Sequence, residues 1–274
     1  MIRVRAPATT ANLGPGFDCA AVAFDLWNEL EVVADGGEPD RDDLSVKAFA
    51  LLADPAGHTF TSTDRIPRER GLGSSAAAVA AGLVAGAITA GRELNAEQLL
   101  ALGIDLEGHA DNLAAALAGG VCLTWDLRIA RVADAPPAAA IALIPVARQR
   151  TDQARAALPD VVPHGDAVFS AGRAAVLGVA LAAGSEELFA AGTEDRLHEP
   201  YRAAGAPLLR AVRDDLPAGA LAVTLSGSGP TVIVWARREQ EDECLADLAR
   251  RDLGAAVVPL RPSAEGVSGT RSEP

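Results

Sequence analysis

The stretch RGLGSSAAAVAAG, residues 70–82, decides how the rest of the chain is read. Gly71 and Gly73 give the backbone conformations closed to residues with a Cβ and let another group approach closely. Ser74 and Ser75 stand where a helix should begin, and Ala76 opens a run of small residues that keeps such a helix thin. The first amides of a helix have no partners within it, and its dipole places partial positive charge there. Such a terminus binds phosphate without a lysine. A plain glycine turn with a serine cap gives the same letters, so residues 70–82 alone leave both readings open. They do exclude two nucleotide motifs. The Gly-Lys-Ser/Thr of a Walker loop is missing, and so is the third glycine of a dinucleotide fingerprint.

The chain has 274 residues, enough for one large or two small domains around a real core. With 49% apolar residues and 4% aromatic, that core must be built mainly from Ala, Val and Leu. The net charge of −13 argues against a nucleic-acid partner, which would need a basic face. It leaves ATP open, because a nucleotide meets a local site. Lys47 is the one lysine among 24 basic residues, which fits either a surface kept soluble in high salt or a GC-rich coding bias. Three cysteines (Cys19, Cys122, Cys244) form neither a disulfide framework nor a zinc pattern. No uninterrupted apolar run of about 18 residues predicts a membrane span, and the start reads as a strand and not a leader. A cytoplasmic protein without membrane contact is the expectation.

Alternation predicts strands over 2–6 and 27–34, and residues 36–45 read as loop; 44–66 is ambiguous. Residues 74–91 read as a buried helix. Asn95 caps a second one from Ala96, and a short helix over 111–118 ends at Gly119-Gly120. A strand over 121–125 precedes "ADAPPAA" (133–139), the best linker candidate. Beyond it come a strand over 141–147, helices over 151–158, 164–183 and 200–213, two strands around a glycine turn in 221–236, a helix over 238–252 and a strand over 254–260. Residues 262–274 are polar and read as a disordered tail. Interleaved helices and strands in both halves predict a two-layer protein, α/β or α+β, divided near residue 135.

Five further stretches carry chemistry. "RAPATTANLGPGFD" (5–18) sets a Gly-Pro-Gly turn between the Asn12 amide and the Asp18 carboxylate. "EGHADN" (107–112) concentrates polar groups, with Asp111 placed to cap the next helix or to serve a reaction. "TDQARAALP" (151–159) puts Thr151 and Arg155 one helical turn apart on one face. "DRLHEPYR" (195–202) offers Arg196 and Arg202, and "LSGSGPTV" (225–232) a glycine turn, Gly227-Ser228-Gly229.

Pro67-x-x-x-Gly71-Leu72-Gly73-Ser74-Ser75-Ala76 resembles the phosphate loop of the GHMP kinases, a superfamily of small-molecule kinases. "LSGSGPTV" resembles that family's third motif, and the likeness runs from about residue 2 to 260. The resemblance implies an N-terminal domain like the second domain of ribosomal protein S5 (1–135), a ferredoxin-like C-terminal domain (136–262) and a tail (263–274). It implies ATP held by Pro67, Arg70, Gly71, Leu72, Gly73, Ser74, Ser75 and Ala76, with Mg²⁺ on Ser75 and Glu107. "RAPATTANLGPGFD" resembles the branch that phosphorylates L-homoserine, and "EGHADN" resembles its Glu-Gly-His-Pro-Asp-Asn, with Ala110 in place of proline. On that reading Asp18 pairs the substrate's ammonium, Asn12 hydrogen-bonds it, Arg155 clamps the carboxylate through its planar fork, and His109, Thr151, Arg202 and Gly229 complete the pocket. A homodimer is a further expectation from the resemblance.

Phosphoryl transfer through a loose transition state asks for alignment and charge neutralisation more than for a strong base. Lys47 lies outside the motifs, so an Asp–Lys base pair is not expected. Asn112 is expected to position the hydroxyl, with Asp111 the alternative as base. Residues 35–66 are shorter than the resemblance leads one to expect, and adenine contacts cannot be placed. The rival readings are a shikimate- or mevalonate-type kinase of the same family and a non-catalytic sensor on the same fold.

Overall fold

The computed structural model describes residues 1–149 and 151–272. Two strands organise the first half. β1 (Ile2–Asn12) and β2 (Gly16–Gly37) form a long antiparallel hairpin. Its tip is the Gly-Pro-Gly segment, where Asn12, Leu13 and Gly14 all have positive φ (75°, 48° and 80°). β3 (Gly57–Thr63) pairs with the far end of β2, while β4 (Val121–Trp125) pairs with Ala20–Val22 and carries β5 (Arg128–Ala133).

Four helices belong to this half. α1 (Leu44–Ala50) is capped by Asp43. α2 (Ser74–Thr89) follows the glycine loop and buries residues on every side, which its alanines and glycines permit. α3 (Ala96–Glu107) begins with a capping box between Asn95 and Gln98, as the sequence predicts in part. α4 (Ala110–Ala118) ends at Gly119. Its N-cap is His109 and not Asp111, which lies in the first turn and accepts a hydrogen bond from the Asn112 amide at 2.6 Å.

The second half contains β6 (Ala139–Pro145), α5 (Thr151–Ala156), α6 (His164–Ala183), α7 (Glu186–Gly192), α8 (Glu199–Arg202), α9 (Pro207–Asp214), β7 (Ala220–Leu225), β8 (Val232–Ala236), α10 (Glu241–Arg250) and β9 (Ala255–Leu260). Its antiparallel sheet runs β7-β8-β6-β9, the strand order of a ferredoxin-like fold. Alternation buries both faces. Ile141, Leu143, Val232 and Val234 meet α9 and α10, while Ala140, Ala142, Ile233 and Trp235 join the core shared with the first half.

The predicted helix over 200–213 is two helices with a 3₁₀ turn between them, since Pro207 cannot continue α8 and starts α9 instead. The expected tail is also different. After Pro262 bridges to Phe24, β10 (Ser268–Arg271) pairs with Ile2–Arg5 of β1. β1 would otherwise be an open edge with unpaired amides and carbonyls. The pairing is made by main chain, so a polar sequence does not betray it. Residues 273–274 of that tail lie outside the described residues. α6 is long and apolar enough to cross a membrane by length and composition alone, although its Asp166 and Arg173 pair with Arg196 and Glu194.

Candidate active site

The hairpin tip, the glycine loop, α4, α5 and the β7–β8 turn converge on a cleft of about 540 Å³. Its two ends differ in construction. At one end Gly71 and Gly73 sit at φ 80° and 69°, and Gly73 is the N-cap of α2 with no side-chain cap. The amides entering α2 therefore face the cleft unserved. A Cβ on Gly71 would come within 2.2 Å of the Ser226 carbonyl oxygen, and one on Gly73 within 1.9 Å of Thr9 Oγ1. The loop is pinned from behind: the Thr9 amide donates to Leu72 O (3.1 Å) and Ser226 Oγ donates to Gly71 O (2.6 Å).

Beside this entrance Ser75 Oγ donates to Glu107 Oε2 at 2.6 Å. Burial pushes the Glu107 carboxyl up to about 7, the Ser75 bond opposing and the Asp111 charge adding to the shift. Asp111 is 2% exposed, and burial raises it to about 7 as well, against the bond from the Asn112 amide. Burial dominates both shifts, and the charge of Asp111 adds to that of Glu107. Asn112 is held by Thr9, whose Oγ1 donates to Asn112 Oδ1 at 2.7 Å.

The other end is built from charged side chains. Asp18, at φ 55°, receives both of its close contacts from Arg155 Nη2, at 2.8 Å and 2.7 Å; the two side chains are 40% and 42% exposed. Asn12 Nδ2 donates to Gly227 O (2.9 Å) and Asn12 Oδ1 accepts from the Asp18 amide (3.1 Å), so one side chain fixes both turn and tip. Arg202 is buried and donates to Ala154 O and Gly227 O, each at 3.3 Å. Thr151 Oγ1 lies 3.2 Å from Ser228 Oγ. His109 lines the cleft as a neutral ring, its pKa lowered by burial and by the Arg155 charge.

Of the expected site residues, Asn12, Asp18, Gly71, Gly73, Ser74, Ser75, Glu107, His109, Asp111, Asn112, Thr151, Arg155 and Arg202 line this one cleft. Leu72 and Ala76 point into the core instead. Pro67 and Gly229 do not line the cleft either; Gly227 and Ser228 take the place expected of Gly229. Arg70 is turned away from the α2 entrance, its guanidinium donating to the carbonyls of Pro145 (2.9 Å) and Val146 (2.6 Å). Arg196 lies over the Phe169 ring at 3.9 Å, outside the cleft. Lys47 pairs with Asp42, also outside it. Phe17 and Asp152, inside two of the quoted motifs but without an expected role, also line the cleft, as do Glu69, at an open position of the pattern from Pro67 to Ala76, and Gln149, which lies outside every motif and joins it only through the fold.

A helix entrance open to anions thus faces paired charges across one cleft, an arrangement suited to a small polar molecule and a phosphate group. Residues 43–120 match the family described as GHMP kinases N terminal domain, and residues 179–253 match GHMP kinases C terminal. The chain belongs to the GHMP kinase family. Among its relatives, a homoserine kinase of Streptomyces coelicolor is 40% identical, with 96% of each chain covered. One of Desulfitobacterium hafniense is 36% identical, over 98% of this chain and 99% of that one. The crystal structure of homoserine kinase from Cytophaga hutchinsonii superposes with a TM-score of 0.81 at 26% identity, covering 98% of this chain and 97% of that one.

Proposed function

We propose that this chain transfers the γ-phosphoryl group of ATP to the side-chain hydroxyl of L-homoserine. The observation that carries the reading is the pairing of Asp18 with Arg155 opposite the α2 entrance. An ammonium and a carboxylate on one small molecule can replace each partner of that ion pair with the other's equivalent. An amino acid therefore enters without leaving a charge stranded. The backbone amides over 71–75 hold the β- and γ-phosphates. Arg155 and Arg202 take the carboxylate, Asp18 the ammonium, and Asn112 orients the hydroxyl toward the phosphorus.

Magnesium fits the residues present. Mg²⁺ takes oxygen ligands and uses one or two protein groups plus phosphates. Ser75 Oγ and Glu107 Oε2 supply two such oxygens at the entrance, and no group of three or more His, Cys, Asp or Glu suited to a metal stands among the described residues. The ion would shield the charge of the transferred phosphate. A second reading of the proton's path has one observation behind it: Asp111, poised near pH 7 by burial, is suited to act as base. Asn112→Ala against Asp111→Asn separates the two. If only the aspartate change abolishes turnover while ligand binding survives, the reading without a base fails.

The proposal extends to a cytoplasmic homodimer, supported by three cysteines that are all free thiols and by the family resemblance. Light scattering on the purified protein reads the mass. The function itself is tested by ADP release with L-homoserine, compared with L-threonine, L-serine, shikimate and mevalonate. Turnover with L-homoserine well above the others is expected. Equal or greater turnover with shikimate or mevalonate overturns the substrate assignment, and no turnover with any of them favours the sensor reading.

A further inference from the structure

Of the stretch Asp195–Arg202, only Arg202 reaches the cleft; His198 and Glu199 are wholly buried behind it. Glu199 is a strut: its Oε1 accepts from the Leu225 amide at 2.8 Å and its Oε2 pairs with Arg213. His198 has a different set of neighbours. Its Nε2 lies 2.8 Å from the carbonyl oxygen of Gly14, at the very tip of the hairpin. A carbonyl oxygen only accepts, so Nε2 carries the hydrogen. Its Nδ1 lies 3.1 Å from Arg202 Nη1, and an arginine only donates, so Nδ1 is bare. Both contacts are satisfied by one neutral tautomer. Burial lowers the pKa of this imidazole and keeps it in that neutral form.

The ring is also held in orientation. It stacks on Phe17 with centroids 4.8 Å apart and planes 18° apart, and Arg202 lies over the same phenyl ring at 5.1 Å. Its backbone is fixed by Asp195, whose Oδ2 accepts from the His198 amide at 2.8 Å. The Gly14 turn lies between Asn12 and Asp18 in the chain, so the imidazole joins the element bearing the ammonium partner to the side chain facing the carboxylate. Without an acceptor at Nδ1, Arg202 keeps two carbonyl contacts among the described residues, both long at 3.3 Å.

We infer that His198 is a positioning residue for amino-acid binding: its Nδ1 holds the Arg202 guanidinium and its Nε2–H holds the hairpin tip, setting the distance between the groups that grip the two charged ends of the substrate. This rests on the reading of the cleft as an amino-acid kinase site. Space-filling alone does not account for the arrangement, since a phenyl ring would fill the volume and stack on Phe17 while leaving both polar partners unserved.

The test is steady-state kinetics of His198→Phe, His198→Asn and His198→Gln, with melting temperature recorded for each. An asparagine Oδ1 can stand in for Nδ1 but cannot reach Gly14; a glutamine amide can reach Gly14 but does not reproduce the Nδ1 acceptor. His198→Phe should raise KM for L-homoserine about tenfold or more, the effect of removing an acceptor from a charged donor, while KM for ATP stays within about twofold. His198→Asn should recover most of the KM for L-homoserine despite a lower melting temperature, and His198→Gln should not. The inference is overturned if the asparagine and glutamine variants behave alike, if glutamine alone rescues, or if the two KM values rise in parallel. Should His198→Phe not fold, the asparagine and glutamine pair still decides. Arg202→Gln separates the two levels: an unchanged KM for L-homoserine there sinks the amino-acid reading of the cleft, whereas a raised KM there with an unaffected His198→Phe sinks only the role of His198.

Discussion

The two ends of the cleft solve opposite problems with opposite materials. The end that we propose holds phosphate is made mostly of main chain: two glycines at positive φ and a helix entrance without a side-chain cap, with serine hydroxyls beside them. Its donors are fixed by the backbone and cost little to preorganise. The other end, which we propose holds the amino acid, is made of side chains brought from residues 12–18, 151–155 and 195–202: Asp18 and Arg155 pair with each other, and Arg202 rests on the neutral His198 ring. The first end has shape before charge. The second has charge, and needs buried neighbours to give it shape.

If that contrast holds, the phosphate end should break by steric insult. Gly73→Ala places a methyl group 1.9 Å from Thr9 Oγ1 at a φ of 69°. The backbone strain alone is about 1–3 kcal/mol, and displacing the loop should cut kcat/KM by roughly 100-fold or more. Activity and nucleotide titration on the same preparation check this. The amino-acid end should break by loss of charge, with the nucleotide end untouched. Arg155→Met should raise KM for L-homoserine about 10–100-fold, the equivalent of losing a charged hydrogen-bond pair, while KM for ATP stays nearly constant. A parallel rise in both constants would mean that the ends are not separate devices.

Smaller effects sharpen the same comparison. A chain ending at Gly266 loses the pairing of β10 with β1, far from both ends. It should lose about 1–3 kcal/mol of stability in urea unfolding with both KM values unchanged. The smallest effect is a pH dependence of stability. His198 is held below its usual pKa of 6.5. As pH falls through about 6.5, the unfolded chain takes up a proton that the folded ring refuses, so this contribution to stability is complete above that pH and is lost below it. Between pH 7 and 5, wild-type stability should fall more steeply than that of His198→Asn, by at most one proton, or about 1.4 kcal/mol per pH unit. Equal slopes would place the proton uptake elsewhere.

The same contrast explains what could be read in advance. The phosphate loop was legible because its physics is local: glycines, serines and a helix start within a few residues. α6 and the Asn95 cap were legible for the same reason. Arg155 and Asp18 were each visible in a motif, but their pairing joins residues 137 positions apart, and no local pattern encodes it. Arg70 looked like a phosphate ligand because it adjoins the loop, yet the end of β6 supplies carbonyls that turn it away. The glycine turn after β7 was found, but its contact with the cleft falls at Gly227 and Ser228, where the Asn12 amide draws the chain in, and not at Gly229. β10 was missed because its stabilisation lies in main-chain pairing, to which a Ser-Gly-Thr-Arg sequence gives no clue.

A crystal structure with a non-hydrolysable ATP analogue and L-homoserine bound together tests the central claim most directly. The account predicts phosphate oxygens on the amides over 71–75, the ammonium on Asp18, the carboxylate on Arg155, and the Asp18–Arg155 pair opened to admit them. A triphosphate seated away from α2, or an amino acid bound elsewhere with that ion pair still closed, would contradict it.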